Sequence, residues 1–144
     1  MTEQKFNDYA RFVDMTTSVA SKQTDKLQDR LGYLTGVTSH KGDGSERTEE
    51  MQVARLMTSV IGMMAESGEF AEVVKKKIFQ ADSKFTDDEI FHMKRELGDV
   101  IWYWMQGCMA LNIDPNDVIQ TNIDKLKSRY PGGNFFAHYS ENRK

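Results

Sequence analysis

Residues 63–74 read MMAESGEFAEVV. Projected at about 100° per residue, the stretch is a helix with acids beside its own apolar stripe. Glu66 falls between Phe70 and Val73, at the margin of that stripe. Glu69 lies one step further out and Glu72 beyond it. The stripe runs back through Val53, Leu56, Met57, Val60, Ile61 and Met64 and on to Val74, which predicts one long helix over residues 48–79.

The neighbouring segments are helical too. QADSKFTDDE (80–89) breaks the period, and Thr86 with Glu89 three residues on forms a capping box that opens the next helix. Ile90, Met93, Leu97, Val100, Trp104, Cys108 and Leu111 fall on one face of it. NIDPND (112–117) ends it, and Asp114 as N-cap with Pro115 at the first helical position starts another. That helix continues through Val118, Ile119, Ile123 and Leu126 to about residue 130, where Pro131 and Gly132–Gly133 stop it. Towards the N-terminus, Phe6, Tyr9, Phe12, Val13 and Val19 predict a single helix over residues 4–30. Residues 32–49 have glycines and no period, and read as a loop. Its KGDGS (41–45) lacks the preceding strand of a phosphate-cradling loop, so a connector is the better reading. With scarce β-branched alternation, the expectation is one all-α domain over 1–144, a bundle of four to five helices.

Composition narrows the function. The 144 residues carry a formal net charge of -3, with 39% hydrophobic and 28% charged residues, as in a soluble globular protein and not a nucleic-acid binder. No run approaches the roughly 18 apolar residues of a membrane span, and MTEQKFNDYA at the N-terminus is too polar for a signal peptide. One cysteine, Cys108, excludes an intrachain disulfide and fits a reducing cytoplasm. Trp102, Tyr103, Trp104 and Met105 in a row point aromatics to several sides of one helix. A small bundle hides only one side, so a second copy of the chain is the expected cover.

Glu66 and Glu69, and again Glu96 and Asp99, are pairs at i, i+3, which places each pair on one helix face. The short connection between the two helices favours antiparallel packing, so the pairs can face each other. Four carboxylates together repel and raise one another's pKa. A hard divalent cation such as Mg2+, which takes oxygen ligands, resolves that conflict and leaves positions for phosphate oxygens. By spacing alone, two solvated acidic faces remain an equal alternative.

Glu66-Ser-Gly-Glu69, 26 residues, then Glu96-Leu-Gly-Asp99 resembles the ExxE…ExxD signature of the all-α nucleoside triphosphate pyrophosphohydrolases, and within them the MazG-like group of phage or bacterial members. ESGEFAEVVKK (66–76), ELGDVIWYW (96–104) and NIDKLKSRYPGGNF (122–135) match in order, so the resemblance covers about residues 50–136. It implies Mg2+-dependent (or Mn2+-dependent) hydrolysis of a nucleoside triphosphate between the α- and β-phosphates, in a homodimer or homotetramer. It makes Glu66, Glu69, Glu96 and Asp99 metal ligands, with Glu66 or Glu69 as the residue that orients or deprotonates the attacking water. Lys75, Asn122, Lys125 and Arg129 then face phosphate, as a cation row opposite an acidic metal site. Tyr9, Phe12, Trp102 and Tyr103 are candidates to stack on the base, though packing is an alternative role for each. The chain departs from the family pattern in Gly132–Gly133, where many members carry a histidine, and in its N-terminal helix and glycine loop.

Two rivals stand beside this reading. The same helical fold can serve as a non-catalytic nucleotide-binding or interaction module. Glu89-Ile-Phe-His92 is one ExxH element of the kind that di-iron bundles use in pairs, but neither His40 nor His138 forms a second.

Overall fold

A computed structural model describes residues 3–35 and 52–133. Six helices and no strand occur among these residues, so the all-α expectation holds. The chain divides into two compact units, Met1–Val53 and Ala54–Lys144.

The first unit corrects the single N-terminal helix. It holds α1 (Glu3–Thr16), α2 (Val19–Lys22) and α3 (Thr24–Thr35). The break comes from the hydroxyl run Thr16-Thr17-Ser18. Thr16 Oγ1 donates to the Phe12 carbonyl at 2.9 Å and Thr17 Oγ1 to the Val13 carbonyl at 2.6 Å. Ser18 then caps α2 by accepting from the Ser21 amide. Such side chains offer the backbone an alternative to helix propagation, which an apolar stripe does not register. Lys22 Nζ clasps the break, donating to the Asp14 carbonyl at 2.8 Å and pairing with its carboxylate at 3.4 Å. Helix α3 runs to Thr35, so residues 32–35 of the expected loop are helical. The rest of that loop, the start of the second long helix before residue 52, His40, and the tail after residue 133 lie outside the described residues.

The second unit contains α4 (Val53–Phe79), α5 (Asp87–Ala110) and α6 (Pro115–Arg129). Helices α4 and α5 are antiparallel. Near the start of α4, Ser59 Oγ donates to the Tyr103 carbonyl at 2.7 Å, towards the end of α5. At the other end, Lys77 Nζ pairs with Glu89 at 2.8 Å. Lys77 also donates to Ser83 Oγ and to the Lys84 carbonyl, and it lies over the Phe85 ring, so this one nearly buried ammonium organises the whole turn.

The caps follow the sequence. Thr86 and Glu89 exchange both bonds of a capping box. Helix α5 ends in a Schellman motif: Asn112 adopts φ +50°, Ile113 N–H bonds to the Cys108 carbonyl and Asn112 N–H to the Met109 carbonyl. Asp114 Oδ1 accepts from the Asn116 amide at 2.8 Å to open α6.

The packing of these helices departs in part from the apolar stripes: Val53 and Cys108, which lie on them, are buried, but much of the rest is not. Ser59 is fully buried, and Cys108 and Ala110 are buried near the end of α5. A Cβ at Gly62 would collide with the Tyr103 ring, and one at Gly107 would stand 2.7 Å from Ser59 Oγ. Small residues thus let α4 and α5 approach closely along Ser59, Gly62 and Gly107. The stripe residues Met64, Ile61, Ile90 and Leu97 remain 73%, 63%, 52% and 51% exposed. The close approach of α4 to α5 is thus made by small residues, while these four stripe positions stay open.

Candidate metal centre

Two helical turns separate Ser59 from Glu66 on α4, and the same interval separates Tyr103 from Glu96 on α5. The contact at Ser59 therefore sets the register at which the carboxylates meet. Glu66, Glu96 and Asp99 each bring an oxygen within 4.8 Å of the others. Glu69, His92 and Glu96 form a second such group at the same limit. Glu96 belongs to both. It is only 4% exposed.

The electrostatics are those of carboxylates held too close. Glu66 is pushed above the ordinary carboxyl range, first by its hydrogen bond with Glu96, then by burial, and then by the charges of Glu69, Glu96 and Asp99. The donors fit Mg2+: cis oxygens around it at 2.0–2.1 Å stand about 3 Å apart, which this group can reach with small rotations. All four acids named from the sequence are thus brought together.

The basic residues divide. Lys77 is engaged at the α4–α5 turn, and Lys76 pairs with Glu72 at 3.0 Å, holding the Glu72 carboxyl below its usual range. Lys75 is exposed. Asn122 and Lys125 line a cavity of about 530 Å3 between α6 and Trp104 of α5, while Arg129 is half-buried at the end of α6. Tyr103 is packed against Gly62 and meets Trp102 edge-on at 4.8 Å, whereas Trp102 is 54% exposed. Tyr9 and Phe12 are exposed in the first unit.

His92 is the residue that sequence reasoning missed. Its Nδ1 lies 3.3 Å from Glu96 Oε1, at i, i+4 on α5. Reading it with Glu89 as ExxH looked the wrong way along the helix. The Glu89 carboxylate is taken by Thr86 and Lys77, and those contacts hold its pKa below the usual range. The signal was the i, i+4 spacing to Glu96.

Over residues 56–133 the chain matches the MazG nucleotide pyrophosphohydrolase domain, and it belongs to that family. It is 37% identical over 73 residues to the Gene 37 protein of Mycobacterium phage L5. The aligned stretch covers 51% of this chain and 64%, just under two thirds, of the phage protein. No solved structure matches the chain. The resemblance drawn from the two acidic pairs is therefore borne out at the level of the family.

Proposed function

We propose that the protein hydrolyses nucleoside triphosphates, NTPs or dNTPs, at the α–β phosphate bond to a monophosphate and pyrophosphate, with Mg2+ as cofactor. The observation that supports this most is the convergence of Glu66, Glu69, Glu96 and Asp99 in the α4–α5 seam of a MazG-family domain.

Bound metal would neutralise the triphosphate and lower the pKa of the attacking water. Glu66, Glu69, Glu96 and Asp99 would hold it, and the charge it carries would offset theirs. Either Glu66 or Glu69 orients the water or takes its proton. Lys75, Asn122, Lys125 and Arg129 spread the charge of the polyphosphate. Phosphoryl transfer asks mainly for such positioning and charge stabilisation. Trp102 and Tyr103 are the base-stacking side chains of this reading, with the packed Tyr103 the less exposed.

On this reading the motif-bearing core is residues 50–136 of a cytoplasmic protein. No helix among the described residues is long and apolar enough to cross a membrane. The protein works as a homodimer or homotetramer, because Ile61, Met64, Ile101 and Trp102 are each more than half exposed in one copy.

Incubating the protein with a panel of NTPs and dNTPs, with and without Mg2+, tests the reaction. Pyrophosphate and monophosphate in equal amounts, only with metal, are expected. Orthophosphate as product, or silence across the panel, would overturn it, the latter in favour of a binding module.

A further inference from the structure

We infer that His92 is a nitrogen ligand of a second metal position, shared with Glu69 and Glu96, which takes a first-row transition ion such as Mn2+ in preference to Mg2+. This rests on reading the α4–α5 seam as a metal centre, and it adds a donor and a selectivity that four carboxylates do not supply.

Three donors from two helices converge here: Glu69 from α4, His92 and Glu96 from α5, each offering an atom within 4.8 Å of the others. The His92–Glu96 separation is 3.3 Å. Cis donors about 2.1–2.2 Å from an ion stand about 3 Å apart, so an ion fits between them with little movement. Glu96, nearly buried, is the common wall of both positions, and a carboxylate can bridge two ions with its two oxygens.

The position is open to solvent. His92 is 45% exposed at its side chain and, with Glu69, lines a cavity of about 270 Å3. The cations near that cavity are already engaged, Lys76 with Glu72 and Lys77 with Glu89, so neither supplies the counter-charge that Glu69 and Glu96 require.

The chemistry of the donors decides the ion. Mg2+ holds to oxygen ligands and gives up water reluctantly, whereas imidazole favours first-row transition ions. The all-carboxylate group Glu66, Glu96 and Asp99 suits Mg2+; the mixed group suits Mn2+ or a later ion. The two halves of one seam would then differ in preference.

The test is direct binding, without turnover. Wild type, His92→Ala and His92→Gln are titrated calorimetrically with MnCl2 and with MgCl2, and the Mn2+ complexes are examined by pulsed electron paramagnetic resonance. Circular dichroism confirms that each variant keeps its helices. The expected result is a nitrogen coupling on Mn2+ in wild type, lost in both variants. Mn2+ affinity at one position should fall at least about tenfold, the scale on which metal sites respond to lost supporting groups, while Mg2+ affinity changes less than about twofold. Mn2+ binding with no nitrogen coupling, or equal Mn2+ affinity in wild type and both variants, would overturn the role of His92 and leave the carboxylate centre standing. Failure of wild type to bind either ion would overturn the metal-centre reading and this inference with it.

Discussion

Glu66 carries the clearest conflict between stability and use. Its carboxyl shares a hydrogen bond with Glu96 and sits among the charges of Glu69 and Asp99, which together raise its pKa. The folded protein holds this proton more tightly than the unfolded chain, so over that range the native state binds more protons. The contribution of Glu66 to the stability of the metal-free protein should then be fully present below the ordinary glutamate range and be lost as pH rises through the raised pKa. Melting curves with EDTA, taken in steps from pH 4.5 to 8, check the sign, and saturating Mg2+ should flatten the loss because metal favours the deprotonated site. Glu66→Gln removes the charge and keeps the hydrogen-bonding shape. We expect it to melt higher than wild type in EDTA and to lose pyrophosphate release by at least about 100-fold, the range of a lost acid–base or charge-stabilising group. A variant that melts lower and turns over normally would remove Glu66 from the site.

Among the helices, what was legible in the sequence was whatever has a local chemical signature. The Thr86–Glu89 box, the Asp114 cap with Pro115, and the length of α5 are set by neighbours in the chain, and the structure keeps them. The spacing of Glu66–Glu69 and Glu96–Asp99 was legible for the same reason. The break at Thr16-Thr17-Ser18 was not, because three hydroxyls competing for carbonyls leave the apolar period intact on either side. Nor was the packing face. An apolar stripe predicts where a helix is covered but not by what, and α4 meets α5 through Ser59, Gly62 and Gly107 instead. That choice buries Glu96 and brings His92 to Glu69. Gly62→Ala should therefore do more than strain the seam. Overpacking of this kind costs about 1–3 kcal/mol, read as a lower denaturation midpoint, and Tyr103 would be displaced. Since Tyr103 lies two turns from Glu96 on the same helix, Mg2+ affinity should weaken as well. Ser59→Ala, which loses one buried hydrogen bond, should cost about 1 kcal/mol and leave metal affinity closer to wild type.

For the whole molecule, the single chain is short of a core. Few large side chains are buried among the described residues, and Ile61, Met64, Ile90 and Leu97 on the stripes of α4 and α5 are each more than half exposed. A soluble monomer rarely leaves contiguous apolar faces of this kind uncovered. Light scattering at micromolar concentration should give a dimer or tetramer, and Ile61→Asp, on the open face of α4, should shift the protein towards smaller species. A wild-type monomer would contradict the proposed assembly. The family match over residues 56–133 spans all of α5 and α6 and most of α4, so the acidic pairs and the exposed apolar positions of α4 and α5 lie in one unit of the fold.

The most direct test of the central claim is product analysis of nucleoside triphosphate turnover by wild type and Asp99→Asn, each with Mg2+ and with EDTA. Asp99 is the exposed member of the Glu66, Glu96 and Asp99 group, so its loss tests the site with little effect on packing. Monophosphate and pyrophosphate in equal amounts from wild type with Mg2+, and from none of the other three conditions, is the predicted result. Equal turnover by Asp99→Asn, or turnover in EDTA, would contradict the assignment of this seam as the metal centre of a pyrophosphohydrolase.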